Sequence, residues 1–147
     1  MFCFCSHCSL NSLLQKSSHA FRVREYIMEP LERAVVSQLD FEKRGGLLPV
    51  VVQHVNTREV IMVAYANRQA VEETIKYRMA VFWSTSRKEI WYKGRESGDT
   101  ISVKQILVDC DGDALVYIAR PAAGVCHTTD EDGATRKSCF YREIPLR

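Results

Sequence analysis

Alternating apolar and polar residues predict short β-strands along most of the chain after residue 47. Two runs rich in β-branched residues, 48–55 and 59–65, are separated by Asn56-Thr57-Arg58 and are typical of a β-hairpin. Similar runs predict four further strands at 80–84, 89–93, 101–109 and 114–119, and a short last one at 139–144. The pattern therefore indicates a domain dominated by sheet.

Two stretches have helical periodicity instead. After Pro30, apolar residues recur at i, i+4 and i+8 until Gly45-Gly46, and they are Leu31, Val35 and Leu39. Asn67 is expected to cap a second helix. The buried stripe predicted for that helix is Val71, Ile75 and Met79. Many strands with two helices predict an α+β fold with a mostly antiparallel sheet.

Residues 1–27 differ in composition from the rest and are expected to be a disordered extension of a domain at 28–147. They are rich in serine and poor in acid, which fits either a transit peptide or a leader included by a wrongly assigned start before Met28. Metal binding by the cysteines in this stretch is an alternative, but we assign no function to it. Those residues are Cys3, Cys5 and Cys8, with His7 beside them.

Charge and hydropathy exclude two classes of partner. The extension contains three of the 20 basic residues and one of the 18 acidic ones, so 17 of each remain and the domain is neutral. A neutral domain lacks the basic footprint of non-specific nucleic-acid binding. No apolar run approaches the roughly 20 residues that span a bilayer. We expect a reducing, cytoplasmic compartment and reduced cysteines in the last third.

An acidic stretch, Asp109-Cys110-Asp111-Gly112-Asp113, follows the predicted strand 101–109. Alternate side chains of an extended chain share a face, so Asp109 and Asp111 should point together and Cys110 away from them. Gly112 permits a turn that brings Asp113 to the same side. An EF-hand is excluded because Ala114 and Arg120 stand at its sixth and twelfth positions. A magnesium site or an ordinary polar turn remains.

Three cysteines in the last third predict a zinc site. Cys110, Cys126 and Cys139 are 16 and 13 positions apart, which does not match the paired cysteines of zinc fingers and ribbons. Three ligands with one position open to water are typical of catalytic zinc. His127 is then a general base, or a fourth ligand of a structural site. A Cys126–Cys139 disulfide and simple buried thiols are the alternatives.

Together, the two ligand sets favour metal-assisted hydrolysis of a phosphorylated small molecule. Zinc lowers the pKa of a bound water, and magnesium neutralises phosphate. The zinc deaminases are disfavoured because their His-x-Glu and Pro-Cys-x-x-Cys motifs are absent from the sequence. A non-enzymatic structural zinc protein or binding module remains an alternative.

From about residue 31 to 144 the chain resembles phosphoribosyl-AMP cyclohydrolase of histidine biosynthesis. The motifs that carry the resemblance occur in order. They are Gly46-Leu-Leu-Pro-Val-Val-Val-Gln, Met62-Val-Ala-Tyr, Phe82-Trp-Ser-Thr-Ser-Arg, Trp91-Tyr-Lys-Gly-Arg-Glu-Ser-Gly, Asp109-Cys-Asp-Gly-Asp-Ala-Leu, Cys126-His-Thr and Ser138-Cys-Phe-Tyr-Arg.

The resemblance implies a reaction and a set of site residues. The reaction is hydrolysis of the N1–C6 bond of the adenine ring of phosphoribosyl-AMP, the third step of the pathway. The implied assembly is an intertwined homodimer with one zinc and one magnesium per subunit. Zinc is held by Cys110 of one subunit with Cys126 and Cys139 of the other, and His127 is the general base. Magnesium lies on Asp109, Asp111 and Asp113. The implied substrate contacts are Trp83, Ser84, Ser86, Arg87, Lys93, Glu96 and Ser97.

The chain departs from the family pattern in two places. Thr129 replaces the glycine that usually follows Cys-His-Thr, and residues 130–137 lengthen the loop before Cys139. Because a longer loop adds little closure entropy, we expect the ligand geometry to survive. Many relatives continue into a phosphoribosyl-ATP pyrophosphohydrolase domain. This sequence stops at Arg147, so only the cyclohydrolase step is expected.

Overall fold

A six-stranded sheet dominates the computed structural model, which describes residues 31–146. The predicted extension, its cysteines and the domain boundary before Met28 lie outside the described residues. The strand order across the sheet is β4-β3-β2-β1-β6-β5. The elements are β1 Leu48–His54, β2 Val60–Ala66, helix α1 Arg68–Tyr77, β3 Val81–Ser84, β4 Glu89–Tyr92, β5 Ile101–Val108 and β6 Leu115–Pro121.

The pairing of β1 determines the type of sheet. On one side β1 pairs with β2 in the predicted antiparallel hairpin, with an irregularity between Val52 and Gln53. On its other side β1 runs parallel to β6, with Val50 opposite Leu115. The α+β class is confirmed, but the sheet is mixed rather than mostly antiparallel. Sequence patterns missed this because strands far apart along the chain make the parallel pair.

The core consists of the inward-facing residues of the strands, which alternate along each strand, packed with buried residues of α1. Leu48, Val50 and Val52 of β1 are completely buried, as their period of two predicts. Phe82 and Tyr117 stack in the interior with ring centroids 5.9 Å apart. The strands predicted between residues 48 and 119 are all present, with bounds shifted by one or two residues.

The helix predicted between Pro30 and Gly45 is wrong. Within the described part of this segment there are two 3₁₀ turns, Val36–Gln38 and Glu42–Arg44. Of the predicted stripe, Leu31 and Val35 are 61% and 59% exposed, and Leu39 is buried. The Asp40 carboxylate accepts a hydrogen bond from Lys43 N at 3.0 Å, a local bond that competes with helical pairing.

Helix α1 begins as predicted and ends earlier. Asn67 Oδ1 accepts a hydrogen bond from Ala70 N at 2.8 Å, which confirms the cap. Arg78 adopts a left-handed conformation after Tyr77, so Met79 is outside the helix. Ile75 is exposed, and the buried face consists of Ala70, Val71 and Thr74. The predicted stripe is correct only at Val71.

The strand predicted at 139–144 is also wrong. Cys139 N donates to Ile61 O at 2.8 Å, but residues 140–146 form no strand and are exposed. Their apolar side chains resemble those of a strand, yet within the chain they meet no partner strand. Among the described residues, no helix has the length and apolar character required to cross a membrane.

Candidate metal and substrate site

The acidic turn after β5 brings three carboxylates together. Asp109 Oδ1 accepts hydrogen bonds from Asp113 N at 2.9 Å and Ala114 N at 3.1 Å, which closes the turn. Gly112 has a φ of +74°, the conformation the turn requires. One oxygen of each of Asp109, Asp111 and Asp113 lies within 4.8 Å of the others. The oxygen donors and their convergence fit a hard divalent cation such as magnesium.

Two cations from the segment before β1 contact this turn. Lys43 Nζ contacts Asp111 Oδ2 and lies 2.7 Å from Asp113 Oδ2, and Arg44 Nη2 lies 2.9 Å from the same Asp113 oxygen. Lys43 holds the pKa of both Asp111 and Asp113 below its usual range, and the two carboxylates raise the pKa of Lys43. Sequence analysis missed both cations because they precede the turn by more than sixty residues.

Two of the three predicted zinc ligands lie side by side. Cys126 and Cys139 line the same pocket, each thiol shifts the pKa of the other, and both are free cysteines rather than a disulfide. The Thr128 hydroxyl, 3.1 Å from Cys126 Sγ, lowers the pKa of Cys126. Desolvation and the neighbouring Cys126 raise the pKa of Cys139. Two adjacent sulfurs fit zinc chemistry but give only part of a ligand set.

The lengthened loop folds back on itself before Cys139. Arg136 O accepts hydrogen bonds from Val125 N at 3.0 Å and Cys126 N at 3.1 Å. A Cβ on Gly124 would lie 2.3 Å from Thr135 O, so only glycine permits this close return of the chain. The loop therefore holds the backbone of Cys126 while leaving the two thiols adjacent.

An open pocket of about 930 Å³ joins the thiols to the predicted substrate segments. Cys126, His127 and Cys139 line one part of it. Of the predicted substrate contacts, Arg87, Lys93, Glu96 and Ser97 also line it. The other three predicted contacts, Trp83, Ser84 and Ser86, are outside this lining and lie on β3 and the turn that follows it.

Lys93 is the buried cation of the pocket. Its Nζ donates to Asp99 O at 3.1 Å. Burial lowers the pKa of Lys93, and the charges of Asp99, Cys139 and Cys126 oppose that effect. Trp91, Arg95 and Asp99 also line the pocket, although the sequence-based set omitted them. Trp91 and Arg95 belong to the motif that predicted Lys93, so that motif was the signal for them.

Cys110 is exposed and is not part of the thiol pair. Among residues 31–146, only Asp109, Asp111 and Asp113 form a group of three or more potential metal ligands that converge. One chain therefore presents the carboxylates together but the three thiols in two places. A three-thiolate zinc site would need Cys110 from a second chain.

Comparison with known proteins gives the family of the chain. The family profile described as phosphoribosyl-AMP cyclohydrolase matches residues 62–141. A phosphoribosyl-AMP cyclohydrolase of Cenarchaeum symbiosum is 47% identical over 109 residues, which cover 74% of this chain and 95% of that protein. One from Nitrosopumilus maritimus is 46% identical with the same coverage. The histidine biosynthesis bifunctional protein HisIE of Thermus thermophilus is 45% identical over 109 residues, 48% of its length.

Proposed function

Because the chain belongs to the phosphoribosyl-AMP cyclohydrolase family, and is thus a hydrolase of cyclic amidines in histidine biosynthesis, we propose that its pocket binds phosphoribosyl-AMP and opens the N1–C6 bond of the adenine ring. One observation carries the proposal. A single pocket is lined by Cys126, His127 and Cys139 together with Arg87 and most of residues 89–97. Reactive groups and binding groups thus face the same space.

The zinc assignment rests on the donor chemistry. Cys126 and Cys139 of one subunit and Cys110 of the partner would hold the ion, leaving one position open. Bound there, zinc would lower the pKa of a water and supply a nucleophile near neutral pH. Reduced thiols are required, in keeping with a reducing cytoplasmic setting.

His127 is assigned as the general base. Its side chain is exposed on the pocket wall, next in sequence to Cys126. A neutral imidazole in this position accepts the proton that the attacking water releases, and as an imidazolium it returns the proton to the opened ring. Because His127 follows Cys126 directly in the sequence, the base would lie near the thiols without being a zinc ligand.

Cationic side chains are assigned to the substrate phosphate. Arg87, Lys93 and Arg95 line the same pocket as the thiols. A guanidinium group can donate two parallel hydrogen bonds to two oxygens of one phosphate, and an ammonium contributes a point charge. Magnesium on Asp109, Asp111 and Asp113 would assist by neutralising phosphate charge.

The test compares His127→Ala with wild type in a ring-opening assay followed by absorbance, with and without a chelator. We expect zinc content to remain unchanged and kcat to fall by about 10²- to 10⁴-fold, because a general base of this kind contributes that much. His54→Ala is the matched control, since His54 lies outside the pocket lining and activity should persist.

Two results would contradict the assignment. Loss of zinc together with activity would make His127 a ligand of a structural site. Full activity in His127→Ala, with zinc bound, would place the base elsewhere.

A further inference from the structure

The acidic turn already contains a cation that the chain supplies. Lys43 Nζ lies 2.7 Å from Asp113 Oδ2 and also contacts Asp111 Oδ2. Its ammonium thus bridges two of the three converging carboxylates. We propose that Lys43 is an internal counter-ion of the acidic turn, and that a divalent cation binds there by displacing it. The inference rests on the proposed function, in which that turn holds magnesium.

Backbone contacts place Lys43 at the turn. Asp40 N donates to Gly112 O at 2.9 Å. A Cβ on Gly112 would lie 2.6 Å from Gln38 O, so the two segments pack as closely as their backbones allow. The Asp40 carboxylate in turn accepts from Lys43 N at 3.0 Å. The segment before β1 is therefore docked on the acidic turn, and the position of the ammonium follows from that docking.

The same two carboxylates cannot serve both cations at once. Magnesium binds carboxylate oxygens at about 2.0–2.1 Å, closer than an ammonium does. An ion bound to Asp111 and Asp113 would lie in direct contact distance of Lys43 Nζ, where like charges repel strongly. Retaining both would crowd two cations onto one pair of oxygens.

Counting charges gives the same result. The three carboxylates with Lys43 and Arg44 carry a formal charge of −1. Exchange of Lys43 for a divalent ion leaves the turn neutral, whereas addition of the ion without exchange leaves it at +1. Arg44 contacts Asp113 alone, so it can remain as a hydrogen-bond donor to that ligand.

The geometry also makes the exchange easy. The Lys43 side chain is 45% exposed, whereas that of Asp113 is 5% exposed. The ammonium can therefore turn out into solvent while the Asp113 carboxylate keeps its place. Ion pairs of exposed lysines contribute little to stability, so displacing this one should not unfold the turn.

The test measures Mn²⁺ binding to the full chain by electron paramagnetic resonance of the free ion. Lys43→Met removes the ammonium and keeps the length of the side chain. We expect the affinity for Mn²⁺ to rise about 2- to 30-fold, the range that two exposed ion pairs imply. Lys104→Met is the matched control, because Lys104 is exposed and forms no ion pair among residues 31–146. Its affinity should equal that of wild type.

Asp109→Asn separates failure of the exchange from failure of the site. Loss of Mn²⁺ binding in Asp109→Asn places the ion on the turn; if Lys43→Met then binds no tighter than wild type, the exchange alone is overturned. If Asp109→Asn still binds Mn²⁺, the ion is not on the acidic turn. If neither wild type nor Lys43→Met binds Mn²⁺, the turn is not a cation site. Either result overturns both the magnesium site and the exchange.

Chemical labelling gives a second, independent readout. Acetylation of Lys43, measured by peptide mass spectrometry relative to Lys104, should increase when saturating Mg²⁺ is added. The physical reason is that displacement frees the ammonium from its two carboxylates. Labelling that stays constant or decreases with Mg²⁺ would show that Lys43 remains in the turn and would overturn the proposal.

Discussion

The Tyr117 hydroxyl is an unsatisfied polar group in the core. The residue is 0% exposed, and the hydroxyl lacks a hydrogen-bond partner among the described residues. Burial raises the pKa of Tyr117 to about 12, and the Thr74 hydroxyl, which offsets part of that effect, is itself occupied because it donates to Ala70 O at 2.8 Å and accepts from Val81 N at 3.0 Å. Because an unpaired buried hydroxyl is costly, Tyr117→Phe should leave the free energy of unfolding unchanged or raise it by up to about 1 kcal/mol. Urea unfolding measures this.

Tyr92 provides the matched control for that prediction. Its hydroxyl donates to the Glu73 carboxylate, which joins β4 to α1. Tyr92→Phe removes a bond that exists, so its unfolding midpoint in urea should fall while that of Tyr117→Phe does not. A clear loss of stability in Tyr117→Phe would mean that its hydroxyl is paired after all.

At the residue scale, the sequence predicted local chemistry better than distant partners. Asp109, Asp111 and Asp113 converge as predicted, but they do so in a turn that follows the end of β5 at Val108 rather than along an extended segment, and Gly112 takes the left-handed conformation of that turn. Those features depend on five consecutive residues. Lys43 could not be found in this way, because only the docking of a distant segment brings its ammonium to the turn.

At the scale of elements, α1 depends on the residue that caps its N-terminus. Asn67 Oδ1 accepts from Ala70 N at 2.8 Å and satisfies one of the free N–H groups of the first turn. Removing such a cap costs about 1 kcal/mol, so Asn67→Ala should lower the free energy of unfolding by that amount. Asn67→Asp keeps the acceptor and should retain wild-type stability. Equal stability of all three proteins in urea unfolding would contradict a role for the cap.

Predictions of elements succeeded where local signals agree with packing. The strands and the N-terminal cap follow from β-branched alternation and one side-chain acceptor. The end of α1 was missed because Arg78 takes the left-handed position that glycine usually fills. The segment before β1 was mispredicted as a helix because an Asp40 side-chain bond and a backbone bond to Gly112 hold it instead.

For the whole molecule, the proposed zinc site raises the question of how Cys110 could join Cys126 and Cys139. In a single chain, the free thiols of Cys126 and Cys139 line one pocket, whereas Cys110 is exposed outside that pocket. It also exposes apolar side chains on β2 and near the C-terminal end, which are typical of a surface that another protein covers. Those side chains are Val60, Val63, Tyr65, Phe140 and Ile144. Both features support the proposed homodimer with zinc sites shared between subunits.

If two subunits share each zinc site, mixing two inactive variants should restore activity, which a site within one chain could not do. Cys110→Ser and Cys126→Ser should each lose zinc and activity. In a heterodimer of the two, one site combines an intact Cys110 from one subunit with an intact Cys126 and Cys139 from the other. In an equal mixture whose subunits exchange freely, half of the dimers are heterodimers, and each heterodimer has one intact zinc site and one defective site. About one quarter of wild-type activity should therefore return.

The matched control mixes Cys126→Ser with Cys139→Ser. These two residues belong to the same half of the shared site, so each subunit of that heterodimer carries a defective half and activity should stay absent. Zinc content measured on the same mixtures should follow activity, with recovery only in the first pair. Equal recovery in both mixtures, or none in the first after exchange of subunits is verified, would show that the three thiolates do not form one site across two chains.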